Sequence, residues 1–172
     1  MFNIVLLEPE MPANTGNIGR TCVATGSRLH LIRPLGFEIS DKMVKRAGLD
    51  YWPHLDYRVY DDFEDFLKKN PDCAGNIFMS TTKARRSYTD VHYGKDCYIM
   101  FGKESAGIPE EILLQYEPSC VRIPMGPGIR SLNLSNSVAI VLYEALRQQN
   151  FEGLEEKGHL HRLVWREESG GV

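Results

Sequence analysis

The chain has 172 residues, of which 42% are hydrophobic and 25% are charged, and its formal net charge at pH 7 is −3. This length and composition predict one globular domain with its own hydrophobic core. No apolar run approaches the ~18 residues of a membrane helix, and the first residues lack the basic segment of a signal peptide. We therefore expect a cytoplasmic protein with no membrane segment.

The first half of the chain alternates short apolar runs with amphipathic segments. A helix capped by Asn14 is expected to continue to Ala24 and to end at Gly26, because asparagine favours N-caps and glycine favours helix ends. In chain order, the predicted elements are a strand at 2–7, that first helix, a strand at 28–33, a short basic helix that Ser40 caps and Gly48 ends, a weak strand at 57–60 and a helix at 61–69.

The second half repeats the pattern, with predicted strands at 76–80, 96–101 and 121–124. A helix should begin with Pro109 at its first position and reach about Tyr116, since proline is favoured at the start of a helix. The last helix, 132–148, is apolar over most of its circumference. Such a helix needs cover on nearly every side, and a partner subunit is the expected cover.

Strands that alternate with helices predict an α/β fold, with a mainly parallel sheet and helices on both faces. Ligands of such sheets bind outside the carboxyl ends of the strands. Three unusual loops each follow a predicted strand, at 8–20, 102–107 and 125–135. We therefore expect the three loops to lie together on one rim of the sheet.

The first loop, with Gly16 and Gly19, has the appearance of a dinucleotide-binding turn but lacks the complete G-x-G-x-x-G pattern. No acidic residue follows the second strand to hold a ribose, so a nicotinamide-dependent oxidoreductase stays a distant alternative. The second loop, which begins at Gly102, lacks the terminal G-K-[ST] of a phosphate-binding loop. Neither loop therefore identifies a nucleotide site by itself.

The four cysteines have no C-x-x-C spacing and no neighbouring histidine cluster, so we expect buried structural thiols and no metal site. The net charge argues mildly against a nucleic-acid partner. Basic residues are nevertheless concentrated in two short segments, Lys42, Lys45 and Arg46 in the first, and Lys83, Arg85 and Arg86 in the second. A protein of low net charge can still present one basic face.

Together, and in this order, the three loops resemble the motifs of the SPOUT superfamily of S-adenosylmethionine-dependent RNA methyltransferases. The matching segments are Asn14-x-Gly16-Asn17-x-x-Arg20, Phe101-Gly102-x-Glu104-x-x-Gly107, and Ile123-Pro124-Met125 followed by Ser131-Leu132-Asn133-Leu134-Ser135. The resemblance runs from residue 2 to about 150. It implies one domain at 1–155, followed by a polar tail at 156–172 that we expect to be poorly ordered.

The opening segment to Arg20 and the segment RAGLDYW further resemble the minimal members, which methylate the ribose 2′-hydroxyl of the tRNA wobble nucleotide. Methylation of another tRNA or rRNA position is the alternative within the class, and an inactive RNA-binding homologue is a third interpretation. Substrate contacts are expected from the basic segments, and the anticodon loop is single-stranded, so an aromatic side chain can stack on its bases. Candidates are Tyr143 and the pair Tyr51 and Trp52.

The resemblance also implies a deep C-terminal trefoil knot, a homodimer with the active site at its interface, and no metal. It implies S-adenosylmethionine as the methyl donor and the tRNA anticodon loop as the partner. The residues that match cofactor-binding positions are Ser80, Gly102, Ile123, Ser131 and Leu132. Those that match catalytic positions are Arg20, Asn133, Ser131, Glu104 and Asn14.

Overall fold

The structure, a computed structural model, describes residues 1–39 and 51–165. The predicted short basic helix, with Lys42, Lys45 and Arg46, lies outside the described residues. Within those two ranges, no helix combines the length and the apolar character that crossing a membrane requires.

Six strands form one sheet, in the spatial order β3-β2-β1-β5-β4-β6, and all pairings between these strands are parallel. The strands are β1 (Asn3–Leu7), β2 (Arg28–Ile32), β3 (Tyr57–Tyr60), β4 (Ile77–Ser80), β5 (Tyr98–Phe101) and β6 (Cys120–Val121). The predicted parallel sheet is thus confirmed. Parallel pairing places the carboxyl ends of all six strands at the same edge.

In residues 1–39 and 51–165, four α-helices connect or follow the strands: α1 (Pro12–Thr25), α2 (Phe63–Lys69), α3 (Glu110–Gln115) and α4 (Leu134–Gln148). Side chains alternate across the sheet, as the two-residue period of a strand requires. In β1, Ile4 and Leu6 belong to the core that α1 and α4 cover, whereas Val5 and Leu7 belong to the core beneath α2 and α3. Helices therefore lie on both faces, as predicted.

The start of α1 differs from the prediction. The helix begins at Pro12 and its N-cap is Met11, which makes no side-chain capping bond, so Asn14 is not the cap. Proline is favoured there because the first helical N–H needs no partner. Asn14 lies inside the first turn and is buried, which leaves its amide for tertiary contacts. The end of α1 is as predicted, with Gly26 in the left-handed conformation.

The last helix begins at Leu134, and Asn133 caps it by accepting hydrogen bonds from the backbone N–H groups of Ser135 and Asn136. The prediction that the helix is apolar on nearly every side is wrong. Its buried face carries Val138, Val141, Leu142, Ala145 and Leu146, whereas Asn136, Tyr143 and Arg147 are exposed on the opposite side. The helix is therefore amphipathic.

Other boundaries shift as well, including the beginnings of β5, at Tyr98, and of α2, at Phe63. The helix α3 begins at Glu110, and Pro109 is its N-cap rather than its first residue. The last strand, β6, ends at Val121 rather than at Pro124, because its pairing partner β4 ends at Ser80, opposite Val121. The chain beyond β6 is consequently free to form a loop.

All four cysteines are buried and unpaired, which confirms the predicted structural thiols. After α4, Phe151 and Leu154 pack against the core. Residues 155–165 form no helix or strand and are almost all exposed, and residues 166–172 lie outside the described part of the chain.

Candidate active site

A cavity of about 520 Å³ opens at the carboxyl edge of the sheet, between the ends of β4, β5 and β6 and the beginnings of α1 and α4. Eight of the nine predicted site residues line it: Asn14, Ser80, Gly102, Glu104, Ile123, Ser131, Leu132 and Asn133. The expectation that the three loops meet on one rim is therefore confirmed. The ninth residue, Arg20, is not part of the lining formed by this chain's described residues.

A chain of hydrogen bonds joins the three loops. Glu104 accepts hydrogen bonds from the Asn14 side-chain amide, at 3.0 Å, and from the backbone N–H groups of Glu10 and Met11, at 2.8 and 3.2 Å. The carboxylate thereby fixes the N-cap residue of α1, Met11, and the residue before it, and it holds the Asn14 side chain in the first turn. In turn, Asn133 Nδ2 donates to Asn14 Oδ1 at 3.0 Å, which links the beginning of α1 to the beginning of α4.

A second set of contacts joins the loop between β1 and α1 to the loop at 102–107, which follows β5. The Lys103 ammonium lies 2.7 Å from a Glu8 carboxylate oxygen. The Glu10 carboxylate accepts hydrogen bonds from Ser105 Oγ at 2.7 Å and from Ser105 N at 2.9 Å. These bonds lower the pKa of Glu10. The hydrogen bond from the Ser105 hydroxyl has the larger effect, and the one from the Ser105 backbone N–H has the smaller effect.

Gly102 is required by backbone packing. A Cβ atom at this position would lie 2.0 Å from the carbonyl carbon of Gly107 and 2.2 Å from the nitrogen of Ile108. The loop folds back on itself here, since Gly107 N donates to the Lys103 carbonyl at 2.8 Å. The absence of a side chain therefore lets the loop close against itself at the edge of the cavity.

The cavity lining is mixed in polarity. Phe101, Ile123, Met125, Leu132 and Leu134 are apolar, and hydroxyl groups come from Ser80, Thr81, Thr82, Ser105, Ser131 and Ser137. Its cations are Lys83, Lys103 and Arg130. Such a lining suits a small organic ligand with one apolar part and charged or polar ends.

Sequence reasoning missed several of these residues. Thr81, Thr82, Met125, Arg130 and Ser137 line the cavity, and their only signal in the sequence was that they adjoin predicted site residues. The charge pattern of the sequence assigns Lys83 to RNA binding, but the residue also lines the cavity. Its ammonium lies at the cavity, 3.1 Å from the Glu110 carboxylate.

The other two residues of that basic segment also have partners. Arg85 lies 3.3 Å from the Glu117 carboxylate, and Arg86 donates to the Pro118 carbonyl at 3.2 Å. Because these pairs are exposed, each interaction is weak and open to exchange with another anion. The assignment of this segment to RNA binding stays a prediction.

Arg20 lies on the exposed side of α1, and its guanidinium carbon is 4.8 Å from the centre of the Tyr51 ring. Tyr51 and Trp52 are each only 8% exposed and belong to the core. The prediction that this pair stacks on a nucleotide base is therefore wrong. Tyr143, which is 47% exposed, stays a candidate for that role.

No group of three or more histidine, cysteine or acidic side chains in the described ranges is arranged to hold a metal ion. A parallel sheet with a mixed cavity at its carboxyl edge is the arrangement of an α/β protein that binds a small ligand there. Residues 1–143 match the SpoU rRNA methylase family, and the chain belongs to that family. The predicted resemblance to SPOUT methyltransferases is confirmed, and the oxidoreductase alternative is discarded.

Individual relatives cover almost the whole chain. A tRNA (cytidine(34)-2′-O)-methyltransferase from Methylovorus glucosotrophus is 48% identical over 155 residues, which are 89% of this chain and 99% of the relative. A solved structure described as giving insights into the 2-OH methylation of C/U34 on tRNA superposes with a TM-score of 0.81 at 44% identity, covering 88% of this chain and 98% of its own.

A more distant solved structure is that of an AdoMet-bound rRNA methyltransferase from Sinorhizobium meliloti. It superposes with a TM-score of 0.73 at 27% identity and covers 85% of this chain but only 56% of its own. The fold of this chain therefore corresponds to a part of that larger enzyme.

Proposed function

We propose that this protein transfers a methyl group from S-adenosylmethionine to the ribose 2′-hydroxyl of the wobble nucleotide, cytidine or uridine, in the tRNA anticodon loop. The observation that carries the proposal is the assembly of residues from all three methyltransferase-like motifs around one cavity. The relatives named for methylation of nucleotide 34 support the substrate, because they align over nearly their whole length.

The cavity fits the proposed methyl donor in size and in chemistry. Its apolar side chains, such as Ile123 and Leu132, suit an adenine ring, and its cations suit a carboxylate. The backbone at Gly102 and the hydroxyl groups of Ser80 and Ser131 would supply hydrogen bonds. When bound there, S-adenosylmethionine supplies a methyl group activated by its sulfonium charge.

The protein's own residues must place a weak nucleophile and stabilise the charge that develops on it. A guanidinium has a pKa above about 12, so Arg20 is better suited to holding a phosphate and steadying a developing alkoxide than to removing a proton. Ser131 would orient the ribose hydroxyl. Asn133 uses one side-chain N–H toward Asn14 and retains the other for the same purpose. Accurate placement would then supply much of the rate.

A homodimer completes this proposed site. In this proposal a second copy brings its Arg20 to the cavity, which fits the absence of Arg20 from the lining formed by the described residues of its own chain. The helices α1 and α4 pack side by side. The outer side of α4, where Arg147 is exposed and Ile140 is half-buried, is the surface we assign to the contact. Such an isologous contact would form two equivalent sites.

The deep trefoil knot in the C-terminal part belongs to the same proposal. It is supported by family membership and by the strand order, in which β5 lies between β1 and β4. We place the protein in the cytoplasm, where tRNA is modified. Its contacts to the anticodon loop would come from basic side chains, so its affinity for tRNA should fall as the salt concentration rises.

The function is tested by incubating the protein with methyl-labelled S-adenosylmethionine and individual unmodified tRNAs, followed by nucleoside mapping. We expect the label as a 2′-O-methyl group on the wobble cytidine or uridine. A tRNA with a 2′-deoxy nucleotide at that position is the matched control and should remain unlabelled. Label at another nucleotide would support the alternative tRNA or rRNA substrate, and the absence of transfer to any RNA would overturn the proposal.

A further inference from the structure

The side chain of Tyr51 lies directly under Arg20. The guanidinium carbon of Arg20 is 4.8 Å from the centre of the tyrosine ring, a distance typical of a cation–π contact. The tyrosine itself is fixed, because it is only 8% exposed and its hydroxyl donates a hydrogen bond to the carbonyl of Gly16. A fixed aromatic surface therefore lies against the cationic end of the Arg20 side chain.

Two glycines of α1 lie against the segment that contains this tyrosine. The carbonyl of Gly16, one turn before Arg20, accepts the hydrogen bond from the Tyr51 hydroxyl. At Gly19, a Cβ atom would lie 3.1 Å from Leu55 Cδ2, and 3.4 and 3.5 Å from ring carbons of Trp52 and Tyr51. The glycine spacing that has the appearance of a dinucleotide-binding turn thus lets the segment around Tyr51 approach the helix closely.

Stacking constrains a guanidinium in a useful way. A ring that contacts the flat face of the group does not itself cover the edge that carries the N–H donors. Arginine is among the side chains with the largest conformational entropy, so a contact with a fixed ring reduces the rotational freedom that Arg20 loses on binding RNA. An arginine held in advance by the ring loses less.

We propose that Tyr51 is a positioning residue for the methyl-transfer reaction, which orients Arg20 through its ring. This inference rests on the proposed function. In this inference Tyr51 supports a residue of the first helix during the reaction and does not stack on a nucleotide base. The hydroxyl serves only to hold the ring in place, so the aromatic face is the part that matters for Arg20.

The sharpest test compares phenylalanine with pentafluorophenylalanine at position 51. Both rings have nearly the same shape, but fluorination removes the negative face that attracts a cation. From the usual strength of an exposed cation–π contact, we expect the maximal rate to be about threefold lower with the fluorinated ring. Tyr51→Leu removes the ring altogether and should lower the rate by about tenfold to a hundredfold. In both comparisons the KM for S-adenosylmethionine should not change.

Tyr57→Leu is the control, because Tyr57 contacts Trp52, with 5.4 Å between ring centres, and belongs to no part of the proposed site. The second readout is the NMR signal of the Arg20 Nε–H group, assigned with Arg20→Lys. The ring should shift this signal in the wild type and in Tyr51→Phe, and the shift should disappear in Tyr51→Leu.

The two readouts separate the possible failures. If the Arg20 signal is the same with and without the ring, the inference is wrong whatever the activity. If the signal changes but the maximal rate does not, Tyr51 holds Arg20 without serving the reaction, and the inference is again wrong. If the wild type transfers no methyl group to any RNA, the proposed function fails, while the NMR comparison still decides whether Tyr51 orients Arg20.

Discussion

Arg20→Ala should reduce methyl transfer by about 1000-fold, the effect of removing a group that stabilises developing negative charge at a reaction centre. The loss should appear in the maximal rate, because in our proposal Arg20 acts on the ribose and its phosphate. The affinity for S-adenosylhomocysteine, measured by calorimetry, should stay at the wild-type value, since in our proposal the partner's Arg20 contacts the ribose and its phosphate and not the cofactor.

Arg58→Ala is a suitable control. Arg58 is an exposed arginine on β3, so its substitution removes the same charge without altering the proposed site. Arg20→Lys should retain part of the activity, because an ammonium preserves the charge but not the planar set of donors. Wild-type turnover by Arg20→Ala would remove this arginine from the mechanism.

Gly102→Ala should abolish cofactor binding. The added methyl group would overlap the backbone of Gly107 and Ile108, at 2.0 and 2.2 Å, and neither backbone group can move aside as a flexible side chain would. The loop must open, which displaces Glu104 from the first turn of α1. We expect a lower melting temperature, in line with a cost of about 1–3 kcal/mol for overpacking, and no heat of binding with S-adenosylhomocysteine.

The matched control is Gly126→Ala, in the third loop. A Cβ atom at Gly126 would have no neighbour within 4 Å, and the backbone there is not in the left-handed conformation. This variant should melt and bind the cofactor as the wild type does. Normal cofactor binding by Gly102→Ala would show that the loop accommodates the side chain and would contradict the role that we assign to Gly102.

The hydrophobic pattern predicted the layers of this fold well. Strands with an apolar side chain at nearly every position indicate a sheet buried on both faces, and the six predicted strands all appear. The gathering of the three loops follows from parallel pairing alone, because each loop leaves a carboxyl end. In that sense the position of the site was available from the sequence.

Contacts between distant segments were not predictable in the same way. Asn14 is a plausible local cap, yet its side chain donates to Glu104, which is 90 residues away in the chain and holds the start of α1. No pattern near Asn14 carries that information. The burial of Tyr51 and Trp52 is a second contact that the sequence did not predict. It depends on how the segment that contains them packs against Gly19 of α1.

His30 shows a further limit of predicting the core from the apolar pattern of a strand. It occupies an inward position of β2 and is fully buried, where its ring nitrogens lie 2.8 Å from the Tyr60 hydroxyl and 3.1 Å from Asn3 Oδ1. Burial lowers the pKa of His30 to about 4, so the ring is neutral at physiological pH. Polar partners on two neighbouring strands satisfy it, and only the register of the sheet reveals them.

The most direct test of the composite site is to mix two inactive variants. Arg20→Ala retains the cavity and Gly102→Ala retains the arginine, so a mixed dimer would contain one complete site if Arg20 acts on the partner's cavity. After the differently tagged subunits are unfolded and refolded together at equal concentration, random pairing should restore about a quarter of the wild-type methyl transfer. A mixture that stays as inactive as its two components would contradict a site shared between subunits.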